Sequence, residues 1–291
     1  MTLDKLLEHE GKIALSYEFA GQKGKSITLH CYRAAGYTPG RPVVFVQHGM
    51  MRNGDDYRDF WIPAADRHDL LIVAPTFSDK DFPEAENYNN GMVLDSDGKP
   101  APRESWIYHV PGEIAERLVA AGVMHEGCAR IYGHSAGGQF LHRMVSTVGF
   151  GPFASVIAAN AGWYSLPALD TDFPAGLRGI GLGEQGLRQL LESGLWIMAG
   201  QQDSDANADN LPSQPEALEQ GPGRLHRARN YMAKGKAAAA ALGCDFGWRI
   251  TEVPGVAHDG CAMSQAAAGM WFEGGLPSAE VLAVGTGQVN A

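Results

Sequence analysis

The amino-acid sequence predicts a single α/β domain: a mostly parallel central sheet with helices on both faces. Three observations predict it. Short uninterrupted apolar runs recur along the chain, amphipathic helical patterns lie between them, and most runs end in glycine-rich or polar turns. Unbroken apolar runs of strand length suit strands covered on both sides, as in a parallel sheet. Their alternation with helices is the pattern of this fold class.

Two β-like runs come first, Ile13–Phe19 and Ser26–Tyr32, separated by a turn-prone stretch from Gly21 to Gly24. Val43–Val46 follows, bounded by Pro42 and His48-Gly49, and is the first of the continuous runs. The same signature returns at Leu70–Ala74, Ala129–Tyr132, Ser155–Ala159, Leu195–Ala199 and Trp248–Val253. Ile114 and Leu118 mark one apolar helix face, with Gly122 as its stop. Phe140, Leu141, Met144 and Val145 mark a second, Leu187, Leu190 and Leu191 a third, and the alanine-rich stretch from His226 to Leu242 a fourth. Two long polar stretches, Ser78–Arg103 and Asp203–Gly223, follow strand ends, which is where open α/β sheets bind ligands. The segment 165–193 between two strands has room for a small cap. At 291 residues the whole chain, 1–291, reads as one domain.

Composition removes several function classes. The net charge of −10 repels phosphate backbones and anionic membranes, so no nucleic-acid partner is expected. The densest basic cluster, Arg224, His226, Arg227 and Arg229, opens a helical pattern and reads as a solvated helix face. No apolar run reaches membrane-spanning length and the first residues make a poor secretory signal, so the expected location is cytoplasmic. Cys31, Cys128, Cys244 and Cys261 are too dispersed for a disulfide framework or a zinc site.

Gly133-His134-Ser135-Ala136-Gly137 fits the pattern G-x-S-x-G and sits between a predicted strand and a predicted amphipathic helix. That placement is what a nucleophile elbow requires: a tight turn that lifts a serine hydroxyl above the sheet edge. A serine hydroxyl needs a base within hydrogen-bond reach. Among ten histidines, His258 is preferred, because it lies just past the last predicted strand and its loop returns to the same edge. His226 lies in a helical pattern, His142 is on the following helix, and His134 sits beside the serine without reaching back to it. The base in turn needs a carboxylate. Asp203, a few residues past the strand Leu195–Ala199, is the choice, with Asp205 the alternative. Backbone N–H groups of Ala136, after the nucleophile, and Met50, in the loop after Val43–Val46, are expected to receive the substrate oxyanion. His48 is expected to shape that loop through hydrogen bonds to backbone.

His48-Gly49, the elbow at Ser135, Gly200-x-x-Asp203 and Gly255-Val256-x-His258 together resemble the α/β-hydrolase superfamily, over residues 43 to 260. Arg52-Asn53, Tyr57-Arg58 and Asn160-Ala161-Gly162-Trp163-Tyr164 resemble bacterial esterases grouped with polyhydroxyalkanoate depolymerases and feruloyl-type esterases. The resemblance implies a single-domain α/β-hydrolase fold and carboxylester hydrolysis on a small or oligomeric ester. The same residues would also support amide hydrolysis or acyl transfer, or could persist in a non-catalytic ligand-binding relative. Trp163 and Tyr164 are expected to line the substrate pocket, with Trp106 and the loop around Tyr88 covering it. Gly181-x-Gly183-x-x-Gly186 matches a dinucleotide fingerprint, but no strand precedes it, so it reads as a loop entering a helix. No cofactor and no metal are expected.

Overall fold

Val43 to Gln47 form a strand in which every residue is buried. Its side chains alternate between two cores: Val43 and Phe45 join the larger, Val44 and Val46 the smaller, as the two-residue period of a strand requires. This strand lies near the centre of an eight-stranded sheet in the computed structural model, which describes residues 3–283.

In chain order the elements are α1 (Lys5–Glu8), β1 (Gly11–Glu18), β2 (Ser26–Arg33), β3 (Val43–Gln47), α2 (Gly54–Phe60), α3 (Ile62–His68), β4 (Leu71–Thr76), α4 (Val110–Ala120) and β5 (Ala129–His134). Next come α5 (Ala136–Val148), β6 (Ser155–Ala159), α6 (Glu184–Glu192), β7 (Trp196–Gly200), α7 (Pro215–Leu218), α8 (Arg224–Leu242), β8 (Arg249–Val253), α9 (Gly260–Ala268) and α10 (Ala279–Ala283). The sheet order is β1-β2-β4-β3-β5-β6-β7-β8. The β1–β2 and β2–β4 pairs are antiparallel and the rest are parallel. All eight strands coincide with predicted runs, with ends displaced by a residue or two.

Side chains of α4, α5, α6 and α8 bury against one face of the sheet, and those of α2, α3 and α9 against the other. The last three have no counterpart in the sequence reading. The first, Gly-Asp-Asp-Tyr-Arg-Asp-Phe, is dense in charge, and α9 is made of small residues buried almost all round, so neither shows an apolar stripe. The segment 165–193 divides in two. Up to residue 183 it is irregular chain closed by the Asp172–Arg178 bridge, and from Glu184 it is α6, part of the layer on the sheet. No helix among the described residues is long and apolar enough to cross a membrane.

Register sets the rest. Gln47 of β3 pairs with Gly133 of β5, so the loop after β3 emerges beside the β5–α5 turn. Gly200 of β7 pairs with Val253 of β8, so the loops after those two strands emerge side by side. All four loops therefore open on the carboxyl edge of the sheet.

Candidate active site

Ser135 sits between β5 and α5 at φ 57° and ψ −116°, a strained backbone for a residue with a side chain. Close packing around the turn enforces the conformation. A Cβ on Gly133 would overlap the Gly137 carbonyl, and one on Gly137 would overlap the carbonyls of Gln47 and His48. The Ser135 N–H is tied to the Ala159 carbonyl of β6 at 3.0 Å. The hydroxyl is thereby held at the start of a 13-residue helix, where first-turn N–H groups have no intrahelical acceptor and the helix dipole is positive.

His258 is placed by its neighbour in the chain. Asp259 caps α9, accepting from the Ala262 N–H at 2.9 Å, which fixes the backbone one residue past the imidazole. Asp203 is placed by a turn, its N–H donating to the Gly200 carbonyl at 3.1 Å. Gly200 itself has to be glycine, since a Cβ there would overlap the Val256 carbonyl of the base-bearing loop. Asn160 laces these two loops together. Its carbonyl oxygen accepts from the Gly200 N–H at 2.9 Å and its amide donates to the Ala257 carbonyl at 3.1 Å.

The structure brings Ser135, His258 and Asp203 into one line. His258 Nε2 lies 3.0 Å from Ser135 Oγ, and Nδ1 lies 2.7 Å from Asp203 Oδ2. An ionised carboxylate only accepts, so Nδ1 carries the proton and Nε2 is left to accept from the hydroxyl. Burial holds the His258 pKa below its ordinary value, against the opposing pull of Asp203, so the imidazole is neutral at pH 7. Asp205 is exposed and accepts from the Asn207 N–H at 2.8 Å, away from the imidazole.

His48 is buried and serves the loop. Its Nδ1–H donates to the Gly49 carbonyl at 2.8 Å and its Nε2 accepts from the Phe77 N–H at 3.0 Å. Burial pushes its pKa down to about 3, keeping it neutral. His134 packs against His258 in a tilted arrangement with ring centroids 4.6 Å apart, and its Nδ1 is hydrogen-bonded to the Tyr57 hydroxyl at 2.9 Å.

A cleft of about 1000 Å³ opens over Ser135. Met50 and Ala136 line it together with the serine. Of the four aromatic side chains expected there, Trp163 alone lines the cleft, held over the Arg143 guanidinium at 4.9 Å. Three expectations need correction. Tyr164 is fully buried, stacked on Tyr231 at 4.4 Å. Tyr88 is also fully buried, stacked on His48 and donating to its carbonyl at 2.7 Å. Trp106 is 2% exposed and donates to the Ala101 carbonyl. The loop around Tyr88 does border the cleft, through Ala85, Glu86, Asn89 and Asn90 rather than through the tyrosine ring. Irregular chain from Asp170 to Arg178 forms another wall.

The basic cluster also needs correction. Arg224 is 2% and Arg227 0% exposed, so the face read as solvated is half buried. Arg224 donates to Asp203 Oδ1 at 3.3 Å, and Arg227 donates to the carbonyls of Gly162, Pro212 and Gly221. Sequence reasoning missed Arg224, Asn160 and Tyr57. The position of Arg224, ending the loop that begins at Asp203, offered a signal, and Tyr57 and Asn160 lay in the motifs that resemble bacterial esterases without a role being read from them. Gly183 caps α6 in extended backbone, as expected for a loop entering a helix. Among the described residues, no group of three or more His, Cys, Asp or Glu is arranged to hold a metal ion.

A mostly parallel eight-stranded sheet, with an elbow serine after β5 and the loops after β7 and β8 converging on it, is the architecture of an α/β-hydrolase. Among solved structures, the poly(3-hydroxybutyrate) depolymerase LpqC from Bordetella parapertussis is 49% identical, with a TM-score of 0.92 over 97% of each chain. Poly(aspartic acid) hydrolase-1 from Sphingomonas sp. KT-1 is 36% identical, with a TM-score of 0.85 over 89% of this chain and 97% of that one. An S-formylglutathione hydrolase from Agrobacterium tumefaciens shares the fold at 18% identity, with a TM-score of 0.56 over 92% of this chain and 97% of that one. The chain therefore belongs to the α/β-hydrolase superfamily, in its esterase and depolymerase-like group. No protein-family model matches the sequence, and neither does any curated protein.

Proposed function

We propose that this carboxylester hydrolase cleaves neutral esters, oligomeric ones included, through an acyl-enzyme formed on Ser135. The observation that carries the reading is the unbroken hydrogen-bond line from Asp203 through His258 to a hydroxyl held on a strained turn. His258 takes the Ser135 proton as Oγ attacks the ester carbonyl, and the N–H groups of Met50 and Ala136 receive the oxyanion. His258 then gives that proton to the leaving alcohol. Water, deprotonated by the same imidazole, releases the acid.

The lining of the cleft supports a neutral substrate. Met50, Trp163, Phe173, Pro174, Leu211 and Pro212 supply apolar surface, and the volume is ample for more than one ester unit. Its carboxylates, Glu86, Asp170, Asp172, Asp209 and Glu216, outnumber its two arginines. Both arginines are already paired, Arg178 with Asp172 and Arg224 with Asp203. Such a surface repels a polyanion. Initial rates on p-nitrophenyl butyrate, the matching anilide, a 3-hydroxybutyrate oligomer and poly(aspartic acid) test the reading. The two esters should be cleaved fastest, and Ser135→Ala should abolish the activity. A preference for poly(aspartic acid) or the anilide would overturn the substrate assignment.

A further inference from the structure

Arg224 stands directly behind Asp203. Its Nη1 donates to Oδ1, the carboxylate oxygen that His258 does not use, and both side chains are almost wholly buried. Its Nη2 donates to the carbonyl and the side-chain oxygen of Asn210, at 2.9 and 2.7 Å. The backbone closes the same junction, since the Leu225 N–H donates to the Asp203 carbonyl at 3.0 Å. Asp203 begins the long loop after β7 and Arg224, the first residue of α8, ends it. One guanidinium thus fastens the loop's end to its beginning and to its middle, and Arg224 also borders the cleft.

We propose that Arg224 is a positioning residue for the hydrolytic reaction: it locks the Asp203 carboxylate in the rotamer that serves His258, and its guanidinium shares that carboxylate's charge with the imidazole. The inference rests on the proposed roles of Ser135, His258 and Asp203. One side chain has two effects. A carboxylate that shares its charge with a guanidinium stabilises the imidazolium less than a free one does. A carboxylate held at both oxygens cannot rotate away from Nδ1. The other charged or titratable groups near His258 are Asp259, one residue on, and His134, tilted against its ring. Asp259 keeps its charge when position 224 is substituted, and His134, which also feels the Arg224 charge, is lowered mainly by its own burial.

The test compares full-length wild type, Arg224→Met and Arg224→Lys for kcat, KM and the pH profile of kcat/KM on p-nitrophenyl butyrate. Arg224→Met should lose about tenfold or more in kcat, within the range known for residues that orient a functional group. The acid limb of its kcat/KM profile should move upward by roughly half a pH unit or more, since removing a nearby positive charge makes His258 easier to protonate. Arg224→Lys keeps the charge and should leave the limb in place. In Arg224→Ala, low millimolar guanidinium should restore activity, because the vacated site borders the open cleft. A loss of kcat in folded Arg224→Met with an unmoved limb would mean support of the loop alone and overturn the proposal, as would unchanged kinetics. If Arg224→Met does not fold, guanidinium rescue of Arg224→Ala decides, and failure of rescue counts against it. Full activity of Ser135→Ala would instead refute the underlying catalytic reading, so the two failures are distinguishable.

Discussion

Asp203→Asn alters one atom of the proposed site, and the structure specifies how that atom does damage. Asp203 Oδ1 accepts from Arg224 and Oδ2 accepts from His258 Nδ1–H. An asparagine offers one acceptor and one donor. Arg224 has only donors, so the amide oxygen turns to it and the NH2 faces His258. Nδ1 must then accept, the imidazole proton moves to Nε2, and Nε2 can no longer take a proton from Ser135. The base is present in the wrong tautomer. A comparable substitution in a serine protease triad costs about 10⁴-fold in kcat, equivalent to roughly 5 kcal/mol of transition-state stabilisation. Asp205→Asn touches only an exposed bond to the Asn207 N–H and should stay within about twofold of wild type, as expected for a solvated surface position. Initial rates on p-nitrophenyl butyrate, with circular dichroism and melting curves to verify folding, separate the two. More than a tenth of wild-type activity in Asp203→Asn, or an equal loss in Asp205→Asn, would refute the reasoning.

Further predictions concern pH and packing. Because burial lowers the His258 pKa, kcat/KM should stay flat through pH 7 and fall only below about 6.5, the ordinary histidine value; a limb centred above pH 7 would contradict this. His48, His134 and His142 are likewise held neutral by burial. The unfolded chain therefore binds more protons than the folded one below pH 6.5, and stability should be full above that value and drop as the pH falls. Three such groups together remove up to about 4 kcal/mol per pH unit, measurable as urea midpoints between pH 7 and 5. Gly137→Ala should destabilise the fold by roughly 2–3 kcal/mol through overlap with the Gln47 and His48 carbonyls. Gly183→Ala, with nothing within 4 Å of its new Cβ, should melt close to wild type.

The strands were legible because a strand buried on both faces writes itself as an unbroken apolar run, and Val43–Val46 could be little else. Helix α9 was not, because its small side chains carry no periodic contrast. Ser135 and His258 could be read from their places after β5 and β8, since chain position determines which edge a loop reaches. It does not determine where a side chain turns. Tyr164 follows β6 as expected, yet it rolls into the stack with Tyr231 and Trp248 rather than into the cleft. Arg224 was hidden for a related reason. A cation at a helix start ordinarily faces water, and only the turn that points Asp203 inward gives it a buried partner 21 residues away.

Covalent labelling is the most direct measurement. A fluorophosphonate probe should add one adduct per chain, located on Ser135 by peptide mass mapping, and abolish ester hydrolysis in proportion to labelling. Ser135→Ala should take up none. A folded, active enzyme that resists the probe, or one labelled at another residue while hydrolysis is lost, would contradict the account.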